Sequence, residues 1–340
     1  MKAITLVKNG PAKEAFELRE ADTPQPGETE LLIDVECFGL NYADVMARNG
    51  LYNDAPPLPS VLGYEVVGKV VKAGDKVKDF KVGDRVVSLT RFGGYAQQAI
   101  ADERASALLP ESMGSAEATA LATQYITAYY SAILQANIQE GEEVLVHAAA
   151  GGVGTALTQL AQWRKCVIWG TAGSDEKLDY LKKNGVDHPI NYRKKDFVTE
   201  IQSVKGKDKL DVIFDPIGGK SFKRGRKILS WGGRMVLFGV SNWSNKKGNL
   251  FDKLKLVWDF GFIHPLGLLM KSQSMIGVNM LKVGDVRPQT IKTCIREVVA
   301  LTEQGVLKPH VGKVFKAEEI AEAHDYLASR QSMGKVVVRW

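Results

Sequence analysis

Along residues 1–123 the apolar positions come in short, half-alternating runs. Met1 to Lys8 alternates like a strand. Leu31-Leu32-Ile33-Asp34-Val35-Glu36-Cys37, Val66-Val67-Gly68-Lys69-Val70-Val71 and Arg85-Val86-Val87-Ser88-Leu89 are β-rich, with turn signals at Gly74-Asp75 and Gly83-Asp84. This spacing predicts a small barrel or sandwich. From residue 116 the pattern changes. Ala116 to Ala136 has helical composition without Gly or Pro, and then strands and helices alternate. Strands are predicted at 143–148, 166–170, 187–191, 210–214 and 234–239, with helices at 155–165 and 175–184. Such βαβαβ order predicts a parallel sheet covered on both faces, an α/β fold. Met275 to Met280 reads as a sixth strand. Helical stretches 288–303 and 318–328 and a final strand, 335–339, close the chain. The first block has no closing partner of its own. Residues 1–123 and 285–340 are therefore expected to form one discontinuous domain around 124–284.

The strongest local signal is Val144 to Gly154: an apolar strand, a small-residue turn, then a helix. Set against GxGxxG, Ala149 takes the first place, Gly151 the second and Gly154 the third. Gly152 and Val153 lie between. The second glycine lets backbone approach a pyrophosphate, and the third lets helix pack on strand. The helix N-terminus offers free N–H groups to the phosphates. A doubly wound, Rossmann-type dinucleotide domain is expected over 124–284. An NAD site usually puts an acid about 20 residues on. Here the next strand ends in Thr171-Ala172-Gly173-Ser174 and has no acid at its tip. Gly173, Ser174 and Lys177 can meet a 2′-phosphate, with Arg193 as a helper, so NADPH is the expected cofactor.

Composition narrows the field. At 340 residues, two domains are favoured. Hydrophobic content of 45% and charged content of 25% exclude wholesale disorder. Three scattered cysteines, Cys37, Cys166 and Cys294, make no CxxC, against a disulfide framework or a four-cysteine zinc lobe. No signal-peptide core or membrane span is evident, so a cytoplasmic location is expected. The net charge of +6 is unevenly placed. Residues 1–123 hold 13 basic and 18 acidic side chains, whereas 124–284 hold 23 and 14. The positive block is where an anionic dinucleotide is expected, so no nucleic-acid partner is needed to explain it.

Further marks are Gly39-Leu40-Asn41-Tyr42-Ala43-Asp44, Gly50-Leu51-Tyr52, Leu62-Gly63-Tyr64-Glu65-Val66-Val67-Gly68, Val82 to Val86, Gly93-Gly94-Tyr95-Ala96 and Asp215 to Gly219. Over essentially its whole length the chain resembles the medium-chain dehydrogenase/reductase superfamily, in its zinc-free quinone oxidoreductase branch. Asn41 to Tyr52 is similar in wording to the vesicle amine transport protein homologs. The resemblance implies a GroES-like β-rich catalytic domain beside the Rossmann domain, with the active site in the cleft between them. It implies cofactor contacts at Asn41, Thr127, Tyr192, Phe238 and Gly239, and puts Asn41 and Tyr52 near nicotinamide and substrate. Asp44 belongs to the same motif, serving either substrate or loop. Zinc-dependent relatives carry a cysteine near Asn41 and a histidine before Glu65. Here Leu40-Asn41-Tyr42 and Tyr64 stand instead, and Cys37 is displaced into a strand, so no metal is expected. Met46 stands where some relatives have a tyrosine.

Without a metal, quinones and activated alkenes are easier hydride acceptors than simple carbonyls, because conjugation spreads the developing charge. The cofactor carries the hydride; Tyr52 O–H and the Asn41 amide can donate to the developing oxyanion. His147, His188, His264, His310 and His324 show no evident catalytic partner. The leading expectation is an NADPH-dependent quinone oxidoreductase acting on a small conjugated acceptor. Two alternatives stand beside it: an enoyl or alkenal double-bond reductase, and a low-turnover NADPH-binding protein associated with membranes. The segment 241–274, longer than a βα connection needs, mixes Lys246, Lys247, Lys253 and Lys255 with aromatic and aliphatic residues. It is expected to be a lid, a dimer contact or a peripheral membrane contact. A homodimer is expected, with Met275 to Met280 as an edge strand that invites pairing. Lys220 to Lys227 is read as a solvated basic helix.

Overall fold

The computed structural model describes residues 1–206, 209–243 and 250–340. Two compact units emerge: Met1–Ile126 with Met280–Trp340, and Thr127–Asn279.

In the first unit, strand Glu30–Leu40 is the spine. It pairs antiparallel with Glu65–Ala73 on one side and with Lys335–Arg339 and Gln98–Asp102 along its other edge. The sheet continues through Arg85–Leu89 to Ser106–Leu108, and through Lys335–Arg339 to the parallel strand Val311–Lys316. A second sheet joins Phe16–Glu20, Lys2–Leu6 and Ser60–Val61. The alternating residues Leu31, Ile33, Phe38 and Leu40 face one core with Val66, Val70, Val86, Val336 and Val338. Strand Lys335–Arg339, from the far end of the chain, is thus an inner strand of this sheet. Its register sets Val336 opposite Leu40.

The second unit is a six-stranded parallel sheet. Its order is His188–Asn191, Val167–Ala172, Glu143–Val146, Leu210–Asp215, Leu229–Leu237, Ser274–Gly277. The α/β, doubly wound class read from the sequence holds. Parallel strands buried on both faces need continuous apolar runs, and Val144, Leu145, Val146, Val212, Ile213 and Phe214 are all fully enclosed. Helix Gly152–Trp163 buries nearly every residue from Gly152 to Ala161, as a helix packed along the sheet centre must.

Several boundaries differ from the sequence pattern, each for a physical reason. The fifth strand begins at Leu229, not Arg234. Its register slips between Leu210 and Val212, and Gly232 has φ +77°, so a bulge hides the alternation. The sixth strand stops at Gly277, and Met280 opens helix Met280–Val286. Helix Tyr42–Arg48 is too short for its periodicity to be read. Helix-like Ala116 to Ala136 contains two π-helical segments, Leu121–Tyr125 and Tyr130–Gln135. In the long connection, helix Leu250–Phe260 and helix Pro265–Leu269 follow one another. Lys246 and Lys247 lie outside the described residues, and the side chains of Phe251 and Lys253 are likewise not described. No helix among the described residues is long and apolar enough to cross a membrane.

Candidate active site

In the first unit, Asn41 and Asp44 lie where strand Glu30–Leu40 runs into helix Tyr42–Arg48. Asn41 is the N-cap of helix Tyr42–Arg48, and its backbone N–H donates to Asp44 Oδ2 at 2.8 Å. Asp44 is completely buried, and its carboxylate is engaged by its own helix. Burial, opposed by hydrogen bonds from the Asn41 and Gly63 backbone, pushes its pKa up to about 7, with the Glu65 charge adding to the rise.

Asn41 brings in two residues that sequence reasoning did not assign. Its Nδ2 donates to Glu65 Oε1 at 2.8 Å, and its Oδ1 accepts from Lys335 Nζ at 2.9 Å. Lys335 also forms an ion pair with Glu65, both side chains having no exposure at all. Glu65 Oε2 accepts the backbone N–H of Thr123 at 2.7 Å. That donor comes from the π segment, where widened turns change the backbone pairing. Glu65 stood in the family wording, but Lys335 lies 270 residues further on and carried no local signal.

Tyr52 is half-buried on the loop after that helix. Its ring meets Tyr64 edge-on at 6.3 Å, and Tyr64 packs on Phe92 at 5.1 Å. Burial raises the Tyr52 phenol above its usual range, so it stays protonated at neutral pH and can donate. The loop is pinned by Asp54, which pairs with Lys282 at 2.6 Å; nearby, Arg91 grips Asp285 with two hydrogen bonds, at 2.7 and 3.1 Å.

The second unit carries the predicted dinucleotide turn. Ala148 sits at φ +52° after strand Glu143–Val146, and Gly151 is the N-cap of the following helix. A Cβ on Gly154 would fall 2.4 Å from the Ala148 carbonyl and 2.7 Å from Ala149 Cα. Its lack of a side chain is required for helix and strand to approach. A Cβ on Gly151 would meet only that carbonyl, at 3.3 Å, and otherwise open space. The turn lies where the strand order reverses between Glu143–Val146 and Leu210–Asp215, the usual place for a ligand in such a sheet.

At the next strand end, Gly173 lies against Tyr192 and Arg193. A Cβ there would be 2.7 Å from the Tyr192 hydroxyl and 3.5 Å from Arg193 Nε. Ser174 caps the following helix, accepting the Lys177 N–H at 3.4 Å, which leaves its own O–H to donate. Burial first, and the Arg193 charge as well, lower the Lys177 ammonium below the usual lysine range, with Glu176 opposing them. Asp175, the first residue of the following helix, is held by Asn191 at 2.8 Å and by Lys194. Thr127 is buried in the same unit. Phe238 and Gly239 follow the fifth strand; the Phe238 N–H reaches the Asp215 carbonyl at 3.2 Å.

Four of the five histidines have contacts within their own unit. His147 is buried, edge-on to Phe197, with Nδ1 3.1 Å from Thr171 Oγ1, and burial lowers its pKa. His324 has a partner that the sequence did not reveal: its Nε2 lies 3.2 Å from the Tyr95 hydroxyl inside the core. His188 stacks on Trp169, and His264 caps helix Pro265–Leu269. In the basic run, Arg224 pairs with Asp196 and Arg226 reaches the Phe262 carbonyl.

Residues 27–135 match the alcohol dehydrogenase GroES-like domain, and residues 184–338 match the zinc-binding dehydrogenase family. The human synaptic vesicle membrane protein VAT-1 homolog is 37% identical over 328 residues, 96% of this chain and 83% of its own. Human quinone oxidoreductase is 32% identical, covering 96% and 93%. The chain belongs to the medium-chain dehydrogenase/reductase superfamily, among the VAT-1 homologs and quinone oxidoreductases. Within this superfamily, the Escherichia coli quinone oxidoreductase complexed with NADPH superposes with a TM-score of 0.86 at 29% identity, over 100% of both chains. The CurK enoyl reductase does so with 0.86 at 28%, over 99% and 98%. The superfamily's zinc does not fit the donors present. Cys37 is enclosed in its strand beside Thr119, and Glu65 is spent on Lys335, Asn41 and Thr123. Among the described residues, no three His, Cys, Asp or Glu side chains converge.

Proposed function

We propose that the protein is an NADPH-dependent quinone oxidoreductase that reduces a small conjugated acceptor without a metal. The observation that carries it is the corner of Gly173, Ser174, Lys177 and Arg193, with Asp175 engaged by Asn191 and Lys194, one strand from the glycine turn. That corner suits a 2′-phosphate, and the turn suits a pyrophosphate. NADPH, once bound, supplies the hydride. Residues 124–284 are proposed to hold it, through Thr127, Ala149, Gly151, Gly152, Val153, Gly154, Gly173, Ser174, Lys177, Tyr192, Phe238 and Gly239. Residues 1–123 and 285–340 are proposed as the catalytic domain.

The chain's own part is to orient the acceptor and stabilise charge. Tyr52 offers a phenolic O–H, and Asn41 one remaining N–H, to an oxygen that becomes negative as hydride arrives. The proton completing the quinol comes from water. The resemblance to CurK enoyl reductase supports an alkenal or enoyl reductase as the second reading. A panel of quinones and 2-alkenals, each with NADPH and NADH, tests both. Turnover of quinones with at least tenfold preference for NADPH is expected. Turnover of alkenals alone would favour the second reading, and a preference for NADH would overturn the cofactor.

We also propose a cytoplasmic homodimer. Among the described residues, the edge strand Ser274–Gly277 has a sheet neighbour on one side only, and next to it in sequence Leu266, Leu269 and Met270 are exposed. Peripheral membrane contact through 241–274 is the competing use of the same face.

A further inference from the structure

The Asn41 amide has two ends that look alike in shape and differ in chemistry. Its orientation decides whether it offers a ligand a donor or an acceptor. Here both ends have opposite, charged partners. Glu65 can only accept, so it takes Nδ2; Lys335 can only donate, so it takes Oδ1. The two partners are ion-paired to each other without any exposure, and Glu65 is held from its other oxygen by the Thr123 backbone. Room for this triad exists because residue 39 is glycine. A Cβ there would fall 2.2 Å from Lys335 Cε and 2.3 Å from Glu65 Oε1.

We infer that Lys335 is a positioning residue that, with Glu65, locks the Asn41 amide so that its one unpaired N–H, and never its oxygen, faces the ligand. The consequence is a selectivity by chemical class. Asn41 recognises an acceptor oxygen, such as a quinone or enone carbonyl, and its grip strengthens as that oxygen gains negative charge. A flipped amide would set its own oxygen against that charge. The lock is delivered by the inner strand Lys335–Arg339, whose register brings the start of that strand beside the end of strand Glu30–Leu40.

This inference rests on the proposed reductase for what Asn41 does, but not for how it is held, and two readouts separate them. The first is the Asn41 side-chain NH₂ pair in a ¹H–¹⁵N spectrum of the full chain, identified by its loss in N41S. In the wild type one of its protons is expected to exchange slowly. Rapid exchange of both would overturn the lock, with or without turnover. The second is kinetic. K335M leaves Glu65 unpaired in the core and can fail to fold, so K335M/E65Q, which removes both charges, is compared by circular dichroism and then assayed. The folded double variant is expected to lose roughly tenfold to hundredfold in kcat, with KM for the quinone changed little, since the N–H acts on charge that develops. A folded double variant with wild-type kcat and a still-protected Asn41 amide would overturn the inference. Absence of quinone turnover in the wild type, with the amide protected, would instead sink the function and leave the lock standing.

Discussion

Asp44 shows what burial does to a single residue. Its carboxyl has no exposure, and its pKa stands at about 7 against an ordinary 3.8. Between those values the folded chain holds a proton that the unfolded chain has released. Stability from this group is therefore complete below about pH 4, falls as pH rises toward 7, and is level above. Asp44→Asn keeps an acceptor for the Asn41 N–H but does not titrate. Its stability relative to wild type should rise between pH 4 and pH 8 by on the order of a few kcal/mol, read as a rising difference in melting temperature. Parallel melting curves across that range would show Asp44 to be ionised in the fold. The residues that speak through local wording, Asn41, Asp44 and Tyr52, could be picked from the sequence. Their partners could not. Lys335 is 294 positions from Asn41, and nothing in Gly334-Lys335-Val336 distinguishes it from a surface lysine until the strand is placed.

At the scale of elements, legibility follows how local the cause is. The glycine turn was readable because strand, turn and helix are consecutive and each glycine has its own steric reason. The bulge at Gly232 and the π segments were not, since both arise from pairing with distant strands or turns rather than from composition. The two glycines of the turn predict different failures. Gly154→Ala drives a methyl into the Ala148 carbonyl, 2.4 Å away, and should cost about 1–3 kcal/mol of stability as well as cofactor binding. Gly151 has φ −78°, which alanine accepts, and a Cβ there would meet only the Ala148 carbonyl, at 3.3 Å. Gly151→Ala should melt like wild type yet bind NADPH at least tenfold more weakly, because its methyl fills the room a phosphate needs. Denaturant melts and NADPH fluorescence titrations separate the two; equal melts for both variants would show that helix packing does not depend on Gly154.

At the scale of the molecule, the net charge of +6 conceals an acidic first block and a basic middle one, the latter holding both the corner proposed for the 2′-phosphate and several exposed apolar side chains. Trp258 is 69% exposed and Phe262 80%, with Val257, Leu269 and Met270 also open, more than scattered surface residues require. The two covers proposed above for these side chains differ in stoichiometry. A second copy, pairing along Ser274–Gly277, would double the 37.3 kDa mass. Light scattering at micromolar protein should give that doubled value, and Met275→Pro, which removes a ladder N–H from the edge strand, should return the monomer while leaving the rest of the sheet intact. An anionic membrane requires no second copy. A wild-type monomer that co-sediments with phosphatidylserine vesicles, and loses them on Trp258→Glu, would assign the face to lipid and remove the dimer. Since Lys255 and Lys271 flank the apolar residues, vesicle binding through this face should also weaken steeply with salt, whereas a strand-paired dimer held by backbone hydrogen bonds and apolar contact should not.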